Sequence, residues 1–285
     1  MAASQSYRID GASEPRWRTA VTHVLSACVF AAFFLYYGLG SFRWGWGGDF
    51  QMYCAGVSRL YTSFLHPLHE AMDVPGTQST VYTPYLIGVA ALGRLARLTP
   101  YHALQVAGAF NIGAFAAGVA YFTSRHSLHG QWRLPAACFL LTTLCLRWLR
   151  FGWSSETSLT NLQYLQAYPS TLAWALAFSA FALTRDLQVS ENRASRRRLV
   201  ALLALLFAFL LLTHLLTASW VIGIVCLYGL VESVRRRSCL PLGQISIALL
   251  LALPLIALWP YAPFFSQTSL RKLEEGSVFG SQPWK

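Results

Sequence analysis

Along this chain apolar residues run in long blocks, and the polar ones collect between them. The first block covers 19–40, and others follow at about 81–98, 101–123, 134–150 and 164–184. An unbroken run, 199–231, and a last block, about 240–260, complete the series. Blocks near 20 residues match a helix that crosses ~30 Å of hydrocarbon at about 1.5 Å per residue. Residues 50–65 (FQMYCAGVSRLYTSFL) differ, because apolar and polar positions there recur at helical spacing. That predicts an amphipathic helix lying along an interface. The fold class expected is all-α: a polytopic transmembrane helical bundle with seven to eight helical membrane segments. No internal repeat or low-complexity linker divides it.

Arginines orient the spans. Arg8, Arg16 and Arg18 precede the first block, which puts segment 1–18 and the N-terminus in the cytoplasm and loop 41–80 outside. The run 199–231 lies between the triplets Arg196–Arg198 and Arg235–Arg237. As one straight helix it would extend about 50 Å, well past the hydrocarbon core. Both triplets favour the cytoplasm, so a helical hairpin is expected, turning near Thr213-His214 and Thr217–Ser219. The transmembrane domain then covers 19–260, and 261–285 is a polar outer tail. Parity requires one further feature. Three apolar segments separate loop 41–80 from the outer loop 151–163, so one of them does not cross. An Arg at mid-bilayer costs about 2.5–3.5 kcal/mol on insertion scales. That points to 81–98, with Arg94 and Arg97, or 134–150, with Arg147 and Arg150. The second is favoured, since its arginines would then sit beside the outer loops.

Composition supports this picture and excludes others. Of 285 residues 55% are hydrophobic and only 12% charged, with mean hydropathy +0.44. Soluble domains carry about twice that charge, so a soluble enzyme, a disordered chain and a disulfide scaffold are excluded. The net charge of +11 comes from 22 basic and 11 acidic residues. The basic residues cluster at the ends of apolar segments, where they meet lipid phosphates. Membrane lipid is therefore the expected partner and nucleic acid is not. The six cysteines form no CxxC or Cys/His pattern. Polar residues 1–18 and the lack of a small-residue cleavage site speak against a cleavable signal. The setting expected is a cell membrane, crossed several times.

Few residues remain that could carry chemistry on the outer side. Asp49 follows Gly47-Gly48 and opens the interfacial helix. It is either an N-cap that accepts a backbone N–H or a boundary carboxylate fit for proton abstraction. Glu156, in Trp153-Ser154-Ser155-Glu156-Thr157, is a solvated loop acid or a second carboxylate bracketing the same site. Arg147 and Arg150 share a helix face and either snorkel to headgroups or grip a lipid-linked phosphate. His214 lies inside an apolar run, as a functional intramembrane group or as a satisfied helix end. His66-Pro67-Leu68-His69-Glu70 has the wrong order for a zinc-protease motif, and Pro67 disfavours the required helix.

Four features together resemble the GT-C superfamily of membrane glycosyltransferases. They are Gly48-Asp49-Phe50 after the first span, Tyr82-Thr83-Pro84-Tyr85 opening an apolar segment, the outer stretch SSETSLTNLQYLQAYPS, and the hairpin around Leu212-Thr213-His214. The resemblance covers about residues 19–260. It implies a GT-C-like fold and an inverting hexosyl or pentosyl transfer on the outer face, from a polyprenyl-phosphate sugar to an envelope acceptor. It implies Asp49 as catalytic base or as ligand of a divalent metal, with Glu156 at the second acidic position, where many members have Asp. Arg147, Arg150 or His214 would hold the donor phosphate. Members usually continue with further spans or a soluble outer domain, whereas here a polar tail runs to Lys285. The competing expectations are a transporter or lipid flippase, and a non-catalytic membrane subunit of an envelope-polymer assembly.

Overall fold

The computed structural model describes residues 16–42, 49–68, 79, 81–126, 133–145 and 166–261. Among them are nine α-helices and no strand. They are α1 (Arg16–Gly40), α2 (Phe50–Thr62), α3 (Pro84–Leu95), α4 (Pro100–His126) and α5 (Arg133–Cys145). After these come α6 (Pro169–Val189), α7 (Arg193–Thr213), α8 (Leu215–Arg236) and α9 (Leu240–Ala257). Four helices are long and apolar enough to cross a membrane: Ala20–Gly40 within α1, then α4, α8 and α9. That is fewer than the seven to eight membrane segments expected from apolar blocks. The shortfall has local reasons. Helix α3 has 12 residues, about 18 Å. Helices α6 and α7 are 21 residues each, but α6 carries Arg185 and Asp186, and α7 has Arg193 and Arg196–Arg198 in its first two turns.

Side-chain contacts fix the helix directions. The Ser41 hydroxyl at the end of α1 donates to the Gln105 carbonyl, and Phe34 packs 3.2 Å from where a Cβ on Gly113 would lie. So α1 and α4 are antiparallel. The Cys138 thiol of α5 donates to the Ser26 carbonyl, nearer the start of α1, so α5 turns back along α4. Helices α4 and α6 run side by side in the same direction. Asn111 meets the head of α6, and Tyr121 and Arg125 meet Asp186 near its end. Helix α3 starts level with Asn111 and returns along the first turns of α4, where Gly93 adjoins Ala103. Of the two segments singled out by parity, 81–98 forms a short helix that turns back along α4, and 134–150 begins with the similarly short α5, its remainder lying outside the described residues. Arg94 and Arg97 of the first segment lie exposed at the α3–α4 turn.

The run 199–231 does break, at one residue. His214 adopts φ −153°, ψ 90° between α7 and α8. Arg236 at the end of α8 bonds the Gln188 carbonyl at the end of α6, beside the start of α7, so α7 and α8 form a hairpin. Small residues let the helices approach: Ala173, Ala177 and Ala180 of α6 share a core with Ala204, Ala208, Ala248 and Ala252. Gly118 of α4 lies against the Ala175 carbonyl, so a Cβ there would collide with backbone. Large apolar side chains fill the core, Phe207, Leu104 and Ile112 among them, and many others face outward. Phe139, Trp220, Leu227 and Leu250 are all exposed, which suits a lipid surround.

Candidate functional site

The end of the bundle that gathers Ser41, α2, the head of α6 and the α7–α8 turn holds the candidate site. Helix α2 forms because Phe50, Val57 and Leu60 recur at helical spacing and bury one face. Gly56 lets that face sit on α3, where Leu86 would lie 2.8 Å from an added Cβ. Asp49 occupies the N-cap position, with φ −76° and ψ 7°, and its carbonyl accepts the Tyr53 N–H at 3.1 Å. Its carboxylate makes no capping bond and is exposed. The capping alternative therefore describes where Asp49 sits but not what its side chain does.

Tyr168 stands beside it, just before α6. Burial pushes its phenol pKa up, and the Asp49 carboxylate adds to the rise. The Asp49 and Phe50 N–H groups, which point at the Tyr168 oxygen, oppose it in part. A phenol held protonated near an exposed carboxylate puts a proton donor and a proton acceptor in one region, the elementary equipment of general acid–base chemistry. Tyr53 packs edge-on to Tyr168, ring centroids 5.2 Å apart, and walls one side.

Buried amides and phenols hold Tyr168 in place. Asn111 is fully buried in the middle of α4, and its Nδ2 faces the Gln166 carbonyl at 2.7 Å, the Tyr85 hydroxyl at 3.1 Å and the Tyr168 carbonyl at 3.3 Å. The Tyr85 hydroxyl in turn donates to the Ala167 carbonyl at 2.6 Å. Segment 166–168 is thereby clamped from two helices. The clamp is incomplete, since Asn111 Oδ1 and both amide atoms of fully buried Gln166 find no hydrogen-bond partner among the described residues. Such orphans cost about 1–3 kcal/mol each. The fold tolerates that cost here, next to Asp49 and Tyr168.

Tyr85 connects this polar cluster to an apolar groove of about 490 Å³ between α3, the first half of α4 and α7. Pro84, Tyr85, Leu92, Val106, Phe110 and Phe209 form its walls. Tyr82-Thr83-Pro84-Tyr85 proves to be partly a helix start: Thr83 Oγ1 accepts the Leu86 N–H at 3.3 Å, and Pro84 fills the first helical turn. The Tyr82 carbonyl receives the Trp259 indole N–H at 3.0 Å, which ties the far end of α9 to this region.

Of the residues expected to carry catalysis or donor binding (Asp49, Glu156, Arg147, Arg150 and His214), Asp49 and His214 lie within the described part. His214 Nδ1 lies 2.8 Å from Thr217 Oγ1 and accepts the Thr217 N–H at 3.3 Å, so the imidazole caps α8. Glu156, Arg147 and Arg150 fall in 146–165, outside the described residues, as do His69 and Glu70. Among the described residues no three His, Cys, Asp or Glu side chains converge. A divalent ion at Asp49 would draw its other ligands from elsewhere in the chain, from water or from substrate. Tyr168, Tyr85, Asn111 and Gln166 were missed by a search confined to charged groups. The available signal was an Asn in the middle of an apolar run, a residue type that bonds across helices. No protein-family model, curated protein or solved structure matches the chain.

Proposed function

We propose that this protein is an integral membrane glycosyltransferase that moves a sugar from a polyprenyl-phosphate donor to an envelope acceptor on the outer face. The observation that carries the reading is the Asp49 carboxylate: exposed, unspent on capping, and close enough to Tyr168 to act on its phenol electrostatically. An isoprenoid chain suits the apolar groove between α3, α4 and α7, whose size falls in the range of small-ligand sites. Asp49 would accept the proton of the acceptor hydroxyl as it attacks the anomeric carbon. The bond to the phosphate oxygen would break on the opposite face, inverting the centre. Arg147, Arg150 or His214 would stabilise the departing phosphate. The Arg-rich ends of α7 and α8 would face the cytoplasm, as would the N-terminus, leaving Asp49 outside.

The test uses the full chain, purified in detergent, with polyprenyl-phosphate sugars, unsugared polyprenyl phosphate and a phospholipid control. Saturable binding of the polyprenyl ligands is expected by native mass spectrometry. Asp49→Asn should keep that binding and lose transfer by about 10²–10⁴-fold. Binding no better than the phospholipid control would sink the enzyme reading. Transfer that survives Asp49→Asn would remove Asp49 as base. Either result would move a transporter or scaffold role to the front.

A further inference from the structure

At the opposite end of the bundle the chain builds a second polar cavity, of about 290 Å³, between the α6–α7 and α8–α9 turns. Its polar walls are Gln188, Ser190, Arg196, Arg236, Ser238 and Gln244, with one carboxylate, Glu191, beside the two arginines. Each arginine is held by backbone. Arg196 Nε donates to the Ser190 carbonyl at 2.7 Å, and its Nη2 to the Glu191 carbonyl at 3.2 Å. Arg236 Nη1 donates to the Gln188 carbonyl at 2.9 Å, while its Nε pairs with Glu232 at 2.9 Å. A guanidinium carries five N–H donors, so each of these retains donors beyond the ones already engaged. Gln244 adds a neutral polar group. It is nine-tenths buried and lines the cavity, and its amide can donate to an oxygen held there.

Charge selects the partner. Arg193, Arg197, Arg198, Arg235 and Arg237 add to Arg196 and Arg236 on the same two turns, against Glu191 and Glu232. Glu232 is already engaged by both Arg235 and Arg236. The local balance is strongly positive, and two pre-oriented guanidinium forks match the geometry of phosphate oxygens. We propose that this cavity binds a phosphate group, with Arg196 and Arg236 as its charged ligands and Gln244 as a neutral donor. The group comes from an anionic phospholipid headgroup or from a soluble phosphate, and both present the same oxygens. The site does not depend on the glycosyltransferase reading, because it lies at the other end of the molecule from Asp49.

The experiment takes the full-length protein, delipidated in neutral detergent. Native mass spectrometry follows titration with phosphatidylglycerol, with phosphatidylcholine as the uncharged-headgroup control, and a separate arm adds inorganic phosphate. One saturable ligand is expected. If it is phosphatidylglycerol, the source is lipid; if inorganic phosphate binds and competes with the lipid, the source is soluble. Arg196→Gln/Arg236→Gln should weaken binding at least about tenfold, the scale of one lost charge-assisted contact. Arg235→Gln/Arg237→Gln, outside the cavity walls, should leave it within about twofold. Gln244→Leu keeps both arginines and should weaken binding severalfold, which covers the case in which the arginine pair fails to fold. Equal losses in both arginine pairs would reduce the effect to general surface charge and overturn the site. Absence of any binding by the wild-type protein would do the same.

Discussion

The two ends of the bundle are held by opposite chemistry. Around Tyr168 the ties are neutral: an Asn amide and a Tyr hydroxyl, both buried, clamp three carbonyls of segment 166–168. At the far end the ties are ionic and partly wet. Asp186 accepts from Tyr121 at 2.8 Å and pairs with half-exposed Arg125 at 3.2 Å, while Glu232 gathers Arg235 and Arg236. Solvation explains the division. A neutral amide enters an apolar interior at moderate cost if its donors are used, whereas charges are tolerated where water can screen them. The bonds of the neutral end are shielded from water, so nothing in solution competes for them. The ionic end responds to salt and to anions, as suits a cavity that takes a phosphate.

The sharpest way to break this contrast is Asn111→Leu. It strips the donor from two buried carbonyls, and a loss of about 3 kcal/mol is expected, from roughly 1–3 per orphaned group. Thermal unfolding in detergent measures it, and added salt should not change the difference. Asp186→Asn should cost less, about 1 kcal/mol at most, since Arg125 is largely solvated and Asn can still accept from Tyr121. That difference should shrink near 1 M salt. Salt-insensitive loss in Asp186→Asn would erase the distinction between the two ends.

Gln166→Met should shift stability the other way, by up to about 1 kcal/mol, because it removes an amide that has no partner among the described residues. If the orphan serves the site, transfer activity falls as stability rises. A destabilised Gln166→Met protein would show that the amide is satisfied after all. The smallest effect concerns pH. The Tyr168 pKa is raised in the folded state, so the stability linked to it is complete below the unfolded value of about 10 and declines as pH rises beyond it. Unfolding midpoints should fall more steeply above pH ~10 in the wild type than in Tyr168→Phe. Parallel curves would remove the burial assigned to that phenol.

Much of this architecture was legible from periodicity. The amphipathic pattern of 50–65 foretold a helix, observed over Phe50–Thr62, and two arginine triplets around one apolar run foretold a turn near Thr213-His214 and Thr217–Ser219, which falls at His214. The break needed no glycine, because His214 leaves helical geometry and caps the next helix itself. The level of α3 was not legible. Its arginines and those of 134–150 look equivalent in sequence, and only the pairing of Tyr85 with Asn111 shows that α3 starts part-way along α4. For the candidate site, Asp49 stood out as an isolated carboxylate. Its neighbours did not, since Tyr168 and Gln166 acquire meaning only when a residue 55 or more positions earlier reaches them.

That last separation has a consequence for biosynthesis. Two of the three acceptors of Asn111 lie 55 and 57 residues downstream of it. At about 5–20 residues per second, a ribosome needs roughly 3–11 s to make them after Asn111 has emerged. During that interval α4 enters the bilayer with its central amide only partly engaged, and Tyr85 of α3 is its one native partner already made. The Asn111–Tyr85 pairing is therefore the part of the clamp whose residues are synthesised first, and the bonds to 166 and 168 can form only once that segment has been made.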